Sequence, residues 1–376
     1  LMMMWKKIKY WNRQKNHLLR QLKLKLVRLL FDTTSHRTAL ELTRIKKVLI
    51  LRDDNKIGDM IVSTGLFSQL HAAGICVDVV AGKDNAFIAE AMPQVNSVLL
   101  YPRKTGKILQ TAWKLRRHNY DMVLDFGDYL SPVYYSFISL INGRHTLGFN
   151  KSVFYRYDLN IDAPALDEHV TSRYKRVLAL FGLPSEHYHY QLAVPEAAQQ
   201  KALTFIHTLA SQQFVLINPF AAGKDRTLSE QQVVRLINMI AEADPQLQVV
   251  VIGPSAPLAA LQLPESARKN PGHSFWSAVV LVQHAKLIIS PDTSWVHVAC
   301  AYQTPLIALY KSKIIDGGLI NNKVWAPNFQ PSTQIITDKQ SVAEIDPRDL
   351  SAALHKYLTP QAGSDQANEV YKDMTA

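Results

Sequence analysis

Several protein classes are excluded by what this chain has little of. Its 376 residues contain two cysteines, Cys76 and Cys300, far apart and in apolar surroundings. That spacing argues against a disulfide framework or a cysteine metal site and for a reducing compartment. No run of about 18 apolar residues occurs, so no membrane-spanning helix is expected. The N-terminus lacks the apolar stretch and small-residue site of a signal peptide, and a cytosolic, unprocessed protein is the expectation. The 15 glycines nowhere form G-x-G-x-x-G or G-x-x-x-x-G-K-[ST]. Dehydrogenase-type and P-loop nucleotide sites are therefore not expected.

Acidic residues are missing altogether from positions 1 to 31, where Lys6, Lys7, Lys9, Arg13, Lys15, Arg20, Lys23, Lys25 and Arg28 carry nine of the net +11 charges. Trp5, Ile8, Trp11, Leu18, Leu19, Leu22, Leu26, Leu29 and Leu30 interleave with them at roughly helical spacing. Such a basic amphipathic helix suits an anionic lipid surface, or else packs on the protein's own body or on a second copy. Nothing else in the chain resembles a nucleic-acid-binding module, and no nucleic-acid partner is expected.

A hydrophobic content of 47% over this length is enough for two domains with proper cores. From Ile45 on, apolar runs of strand length alternate with helical patterns, as in a doubly wound parallel sheet. The strands expected first are Val48–Leu51, Val77–Val80, Val98–Leu100 and Met122–Asp125, with short additions at Arg144–Phe149 and Asp158–Ile161. A helix is expected over Asp167–Gly182, and 183–195, rich in His and Tyr with Pro near each end, reads as a linker. The alternation then restarts. Strands are expected at Phe214–Asn218, Leu247–Gly253, Lys286–Ser290 and Pro305–Tyr310, the last clear one, with helices at Ser229–Ala243, Ser274–Ala285 and Thr293–Tyr302. The domain boundaries read as a basic extension over 1–45, a first Rossmann-like domain over 46–182, the linker, and a second domain over 196–345. A closing helix and a loose tail occupy 346–376.

Two strand–loop–helix stretches carry candidate chemistry. The first, Arg52–Thr64, follows the strand at Val48–Leu51 and leads into an amphipathic pattern that ends at Gly74. Ligands of open α/β sheets bind at the carboxyl ends of the strands. Gly58 would permit close approach there, Asp59 stands at the helix entrance and Lys56 adds a positive charge, although an Asp in that place can also be a simple cap. The second runs from Ser290 to Pro305. Its helix start offers free amides to a phosphate, Thr293 can add a hydroxyl, and His297 lies about one turn inside, although Asp292 or Thr293 can also be simple caps and His297 a core residue.

Together, K-I-G-D-M-I-V-S-T at 56–64 and P-D-T-S-W-V-H-V-A-C-A-Y-Q-T-P at 291–305 resemble the heptosyltransferase family, glycosyltransferase family 9, whose members add heptose from ADP-heptose to the lipopolysaccharide core. The resemblance covers roughly residues 45 to 345. It implies an α/β GT-B fold of two Rossmann-like doubly wound domains facing a cleft, to which this chain adds its basic N-terminal extension. The first domain would bind the acceptor and the second the nucleotide sugar. It also implies that Asp59 is the catalytic base, with Lys56 and Gly58 in the acceptor-side loop. Donor contacts would be Asp292, Thr293, Ser294 and His297, with either Lys224 or Arg226 on the diphosphate. A carboxylate at a helix entrance beside Lys56 should have a depressed pKa. No metal or other cofactor is expected. The implied partners are a nucleotide sugar and a lipid-linked oligosaccharide, and with an anionic membrane surface met through residues 1–31 a cytoplasmic enzyme on the periphery of the inner membrane is expected.

The sequence departs from the family in two places. Ser294 replaces the glycine after Asp-Thr. After the strand ending at Gly253, Pro254-Ser255-Ala256-Pro257 stands where an acidic residue often holds the ribose. Two alternatives accordingly remain: a transferase of the same fold with another nucleotide sugar or acceptor, and a non-catalytic sugar-nucleotide-binding protein.

Overall fold

The computed structural model describes the chain except residues 1, 33–38, 129, 163–164, 166, 314–317 and 360–376, and of residues 2–9 the backbone alone. Most of the tail expected to be loose, 360–376, lies outside the described residues. The chain divides into two compact units, Leu1–Ala165 with Val170–Ala193, and Leu166–His169 with Val194–Ala376.

The first unit opens with α1 (Met2–Phe31) and continues as β1 (Lys47–Arg52), α2 (Ile57–Ala72), β2 (Cys76–Ala81), α3 (Ala86–Glu90), β3 (Ser97–Leu100), α4 (Thr105–Arg116), β4 (Met122–Asp125), α5 (Pro132–Ile141), β5 (His145–Phe149), β6 (Leu159–Ile161) and α6 (Thr171–Leu180). Its strands form one parallel sheet in the order β3-β2-β1-β4-β5-β6. Val48 pairs with both Val77 and Met122. Helices cover both faces of such a sheet, which is why the central strands read as unbroken apolar runs. Leu49, Ile50, Val79, Val123 and Leu124 are fully buried, each contributing roughly 1.5–3 kcal/mol.

Three expectations change here. Helix α2 is not amphipathic, because Asp59 to Ser68 are buried on every side, small polar residues included. The cover on its outer side is the stretch expected to be a linker. Tyr188 donates its hydroxyl to the Val62 carbonyl at 2.5 Å and accepts from the Leu66 amide at 2.9 Å. The Gln191 amide donates to Thr64 Oγ1 at 2.8 Å, and Ser68 donates to Gln191 Oε1 at 2.6 Å. Gly65 is required at this crossing, since a Cβ there would collide with the His189 carbonyl. Helix α6 is also shorter than the expected 167–182, and 167–169 belong to the second unit.

The second unit contains α7 (Glu196–His207), β7 (Phe214–Ile217), α8 (Glu230–Ala243), β8 (Gln248–Val251), α9 (Ser255–Ala260), β9 (Ala267–Lys269), α10 (Phe275–His284), β10 (Leu287–Pro291), α11 (Ser294–Tyr302), β11 (Leu306–Lys311), α12 (Asn321–Val324), β12 (Ser332–Thr337) and α13 (Pro347–Leu358). The strand order β12-β11-β10-β7-β8-β9 repeats the topology of the first sheet, again wholly parallel. Ser229 and Gln232 close a capping box on α8, and Asp346 caps α13 with Pro347 in its first turn. Leu350, Leu354 and Leu358 of α13 join Val233, Leu236 and Ile240 of α8 in one core cluster. The last strand is β12 and not β11. Both unexpected strands, β9 and β12, lie at sheet edges and are only partly buried, so neither needs a continuous apolar run.

Candidate active site

Each sheet reverses its strand order once, between β1 and β4 in the first and between β7 and β10 in the second. The crevice beyond the carboxyl ends at such a switch point is where open α/β sheets hold ligands. The candidate residues all stand in loops leaving β1, β7 and β10 or in the helices that follow.

In the first unit, β1 ends on Arg52, which is buried. Its Nη2 donates to the buried Asp59 carboxylate and, at 3.0 Å, pairs with Asp54. Arg52 Nε has no hydrogen-bond partner among the described residues. The guanidinium lies 6.0 Å over the Phe126 ring, which stacks on Tyr174 at 4.6 Å. Lys56 is the exposed N-cap of α2, and Gly58 and Asp59 are in its first turn. Asn85 fixes the loop, donating to the Arg52 carbonyl at 3.1 Å, to Asp54 at 3.2 Å and to the Lys56 carbonyl at 3.3 Å.

The expected depression of the Asp59 pKa is reversed. Burial raises it, Arg52 opposes, and Lys56 pulls the same way as Arg52 more weakly. A helix terminus favours a carboxylate by only about 0.3–1 kcal/mol, whereas full burial can move a group by several pKa steps, so burial wins. The outcome is a carboxylate that is more basic than an exposed one and is held in place by a cation.

Arg52 lies outside the motif residues, although a cation closing an apolar strand seven residues before the carboxylate is a usable signal. Two further carboxylates at this switch point, Asp53 and Asp125, also lie outside them. Asp53 accepts from the Tyr134 hydroxyl at 2.7 Å, and burial pushes its pKa up to about 6. Asp125, at the end of β4, accepts from Tyr157 at 2.6 Å and from the Gly127 amide at 2.9 Å, with Lys151 at 3.5 Å.

In the second unit, Asn218 follows β7 and bridges loop to sheet, donating to the Phe220 carbonyl at 3.0 Å and to Ser290 at 3.1 Å. The next residues close a single 3-10 turn over Lys224–Arg226, held by Thr227 donating to the Gly223 carbonyl at 3.0 Å and by Lys311 paired with Asp225 at 2.8 Å. The two candidate cations separate. Arg226 Nη1 lies 3.7 Å from Asp292, whereas Lys224 is exposed. Asp292 also accepts from Asn321 at 2.7 Å, and burial raises its pKa against the pull of Asn321 and Arg226.

Thr293 caps α11, accepting from the Trp295 amide at 3.2 Å, and Ser294 is the first helical residue, partly exposed. His297 is placed differently from the others. Its ring is buried 5.8 Å from Trp325 in an edge-to-face contact. Burial, with His169 adding, lowers its pKa to about 3, so it is a neutral imidazole. Trp295 stacks on Phe275 at 4.6 Å and joins the first turns of α10 and α11. Among the described residues no group of three or more His, Cys, Asp or Glu is arranged to hold a metal ion.

Two wholly parallel Rossmann-like units, each with polar loops at its switch point, make this a protein of the GT-B glycosyltransferase architecture. The fold matches the ADP-heptose lipopolysaccharide heptosyltransferase II of E. coli, with a TM-score of 0.65 at 20% identity over 83% of this chain and 98% of that one. It matches a family 9 glycosyl transferase from Veillonella parvula with a TM-score of 0.69 at 14% identity, over 83% of this chain and 97% of that one. By sequence the chain is 24% identical to lipopolysaccharide heptosyltransferase 3 of Escherichia coli (strain K12) over 344 residues, 83% of this chain and 98% of that protein. The sequence model of glycosyltransferase family 9 (heptosyltransferase) matches residues 108–317. The chain belongs to that family and is a glycosyltransferase. The matched segment includes Lys224, Arg226 and Asp292 to His297, and leaves out both Asp59 and α1.

Proposed function

We propose that this enzyme moves a heptose from ADP-heptose onto a lipopolysaccharide core acceptor in one inverting displacement at an anionic membrane surface. The observation that carries the reading is the buried Arg52–Asp59 pair at the first switch point. The Asp59 carboxylate takes the proton of the acceptor hydroxyl as its oxygen attacks the anomeric carbon, and the bond to the nucleoside diphosphate breaks. Arg52 keeps Asp59 ionised and oriented before that step. Lys56 and Gly58 belong to the acceptor-side loop.

Donor contacts fall to the second unit. The leaving diphosphate gathers charge that the α11 amides, the Thr293 and Ser294 hydroxyls and a cationic side chain can meet without a metal. Arg226 is favoured over Lys224 for that cation because it already stands against Asp292 at the α11 start. A forked guanidinium also suits two phosphate oxygens at once. Asp292 and the neutral His297 shape the floor of this site rather than neutralise the phosphate.

A second reading, the same transfer from another nucleotide sugar, is favoured by one feature. The segment after β8 offers Ser255 at the start of α9, bonded to His273 at 2.8 Å, and no carboxylate for the ribose hydroxyls. A thermal-shift panel of ADP-heptose, other nucleotide sugars and free nucleotides separates the two. A ligand at about a hundred times its Kd adds about 2.7 kcal/mol. Stabilisation by ADP and ADP-heptose alone is the expected result, and stabilisation only by a uridine or guanosine sugar would replace the donor.

A further inference from the structure

Helix α1 has two opposite faces with different fates. At about 100° per residue, Leu24, Val27 and Phe31 cluster on one side of the helix. They pack against the first-unit core that contains Tyr135 and Ile138 of α5. The same end is tied down by polar contacts. Arg28 donates to the Val153 carbonyl at 2.7 Å and pairs with Asp32 at 3.1 Å, its guanidinium lies 5.2 Å over Phe154, and Tyr135 donates to the Asp32 carboxylate. Trp11, Leu18, Leu22 and Leu29 fall within about 20° of a single line on the other side. They are 65%, 64%, 51% and 74% exposed. Such a stripe is larger than the scattered apolar residues normal on a surface.

We propose that this stripe seats on an anionic lipid surface while the opposite face keeps the helix docked, so that α1 is a fixed foot of the first unit rather than a loose tether. Charge selects the occupant. Residues 1 to 31 hold nine cations and no carboxylate, and exposed Lys15 and Lys25 flank the stripe at about 40° on either side. Lys15 lies 5.6 Å over the Trp11 ring, an arrangement suited to a headgroup boundary. Anionic headgroups neutralise such a helix, and acyl chains cover its apolar line. Pairing with α1 of a second copy would instead set cation against cation, with no acid on either helix to offset them. No helix among the described residues is long and apolar enough to cross a membrane, so the contact is with the surface.

The inference rests on the membrane-surface part of the function proposed above, but its readout needs neither donor nor acceptor, so failure of lipid contact and failure of transfer are seen separately. The full chain is sedimented with phosphatidylcholine vesicles, with and without phosphatidylglycerol at about one lipid in three. Binding only to the anionic vesicles, with release at about 1 M salt, is expected. The variant combining Trp11→Ser, Leu18→Ser, Leu22→Ser and Leu29→Ser should bind at least tenfold more weakly with an unchanged thermal midpoint and an unchanged mass in solution. Leu24→Ser with Val27→Ser should keep vesicle binding and lower the midpoint. Undiminished vesicle binding by the stripe variant overturns the proposal. So does a lipid-free parent that is a multimer and becomes monomeric in that variant, which would make the stripe a contact between copies.

Discussion

Arg52, the last residue of β1, and Asp59, in the first turn of α2, form an ion pair in which both side chains are buried. The strand fixes one partner and the helix the other, so the pair stays aligned as long as the β1–α2 packing holds. Breaking such a pair by removing one member typically costs about 3–5 kcal/mol, because the other charge is left buried alone.

Asp59→Asn removes the proposed base and keeps its shape. Transfer should fall by about a hundredfold to ten-thousandfold, while calorimetric affinity for the nucleoside diphosphate stays within about twofold of the parent, a difference of only about 0.4 kcal/mol. Turnover above half of the parent value would reduce Asp59 to a structural partner of Arg52.

Arg52→Met tests how the proposed base is tuned. Burial raises the Asp59 pKa and Arg52 opposes it, so removing the cation should raise that pKa further. With Asp59 as the proposed base, activity should fall as pH drops through this pKa, and the acid limb of kcat/KM should therefore move to higher pH. An unmoved limb in a variant that still folds would separate Arg52 from the titrating group.

Asp53 gives a stability signature. Its pKa rises from 3.8 to about 6 on folding, so the folded state favours the protonated form. The associated stability is complete below about pH 4 and is lost as pH climbs through about 6, with a ceiling of about 3 kcal/mol. Urea denaturation of the parent against Asp53→Asn should show the parent losing ground between pH 4 and pH 6, and parallel curves would dismiss the effect.

For the proposed donor loop, Arg226→Ala should weaken nucleoside diphosphate binding by about tenfold or more, and Lys224→Ala by much less. The reverse order would move the phosphate contact to Lys224, and no change in either would remove this turn from the donor site. Chelator should leave turnover unaltered if side chains and helix amides meet the phosphate charge.

Local chemistry determined a good deal of this protein. Buried parallel strands must be apolar on both faces, so β1, β4, β7, β10 and β11 were legible as short hydrophobic runs, and with them the two α/β halves. The places of Asp59, Asp292 and Thr293 at strand–helix junctions were legible too, because capping residues and turn chemistry act within a few positions. The basic, amphipathic character of α1 needed nothing beyond the order of its residues.

What depends on distant residues was decided only by the folded chain. The edge strands β9 and β12 are partly exposed and lack a continuous apolar run, so their membership of the sheet rests on the neighbours they pair with. Helix α2 is enclosed because Tyr188 and Gln191, more than 120 positions away, bond to it. The Asp59 pKa turned upward because burial is a property of the packed unit and outweighs the local pull of a helix end and Lys56. Which cation stands beside Asp292, and which face of α1 is docked and which left free, are likewise set by contacts across the fold, where sequence spacing carries no information.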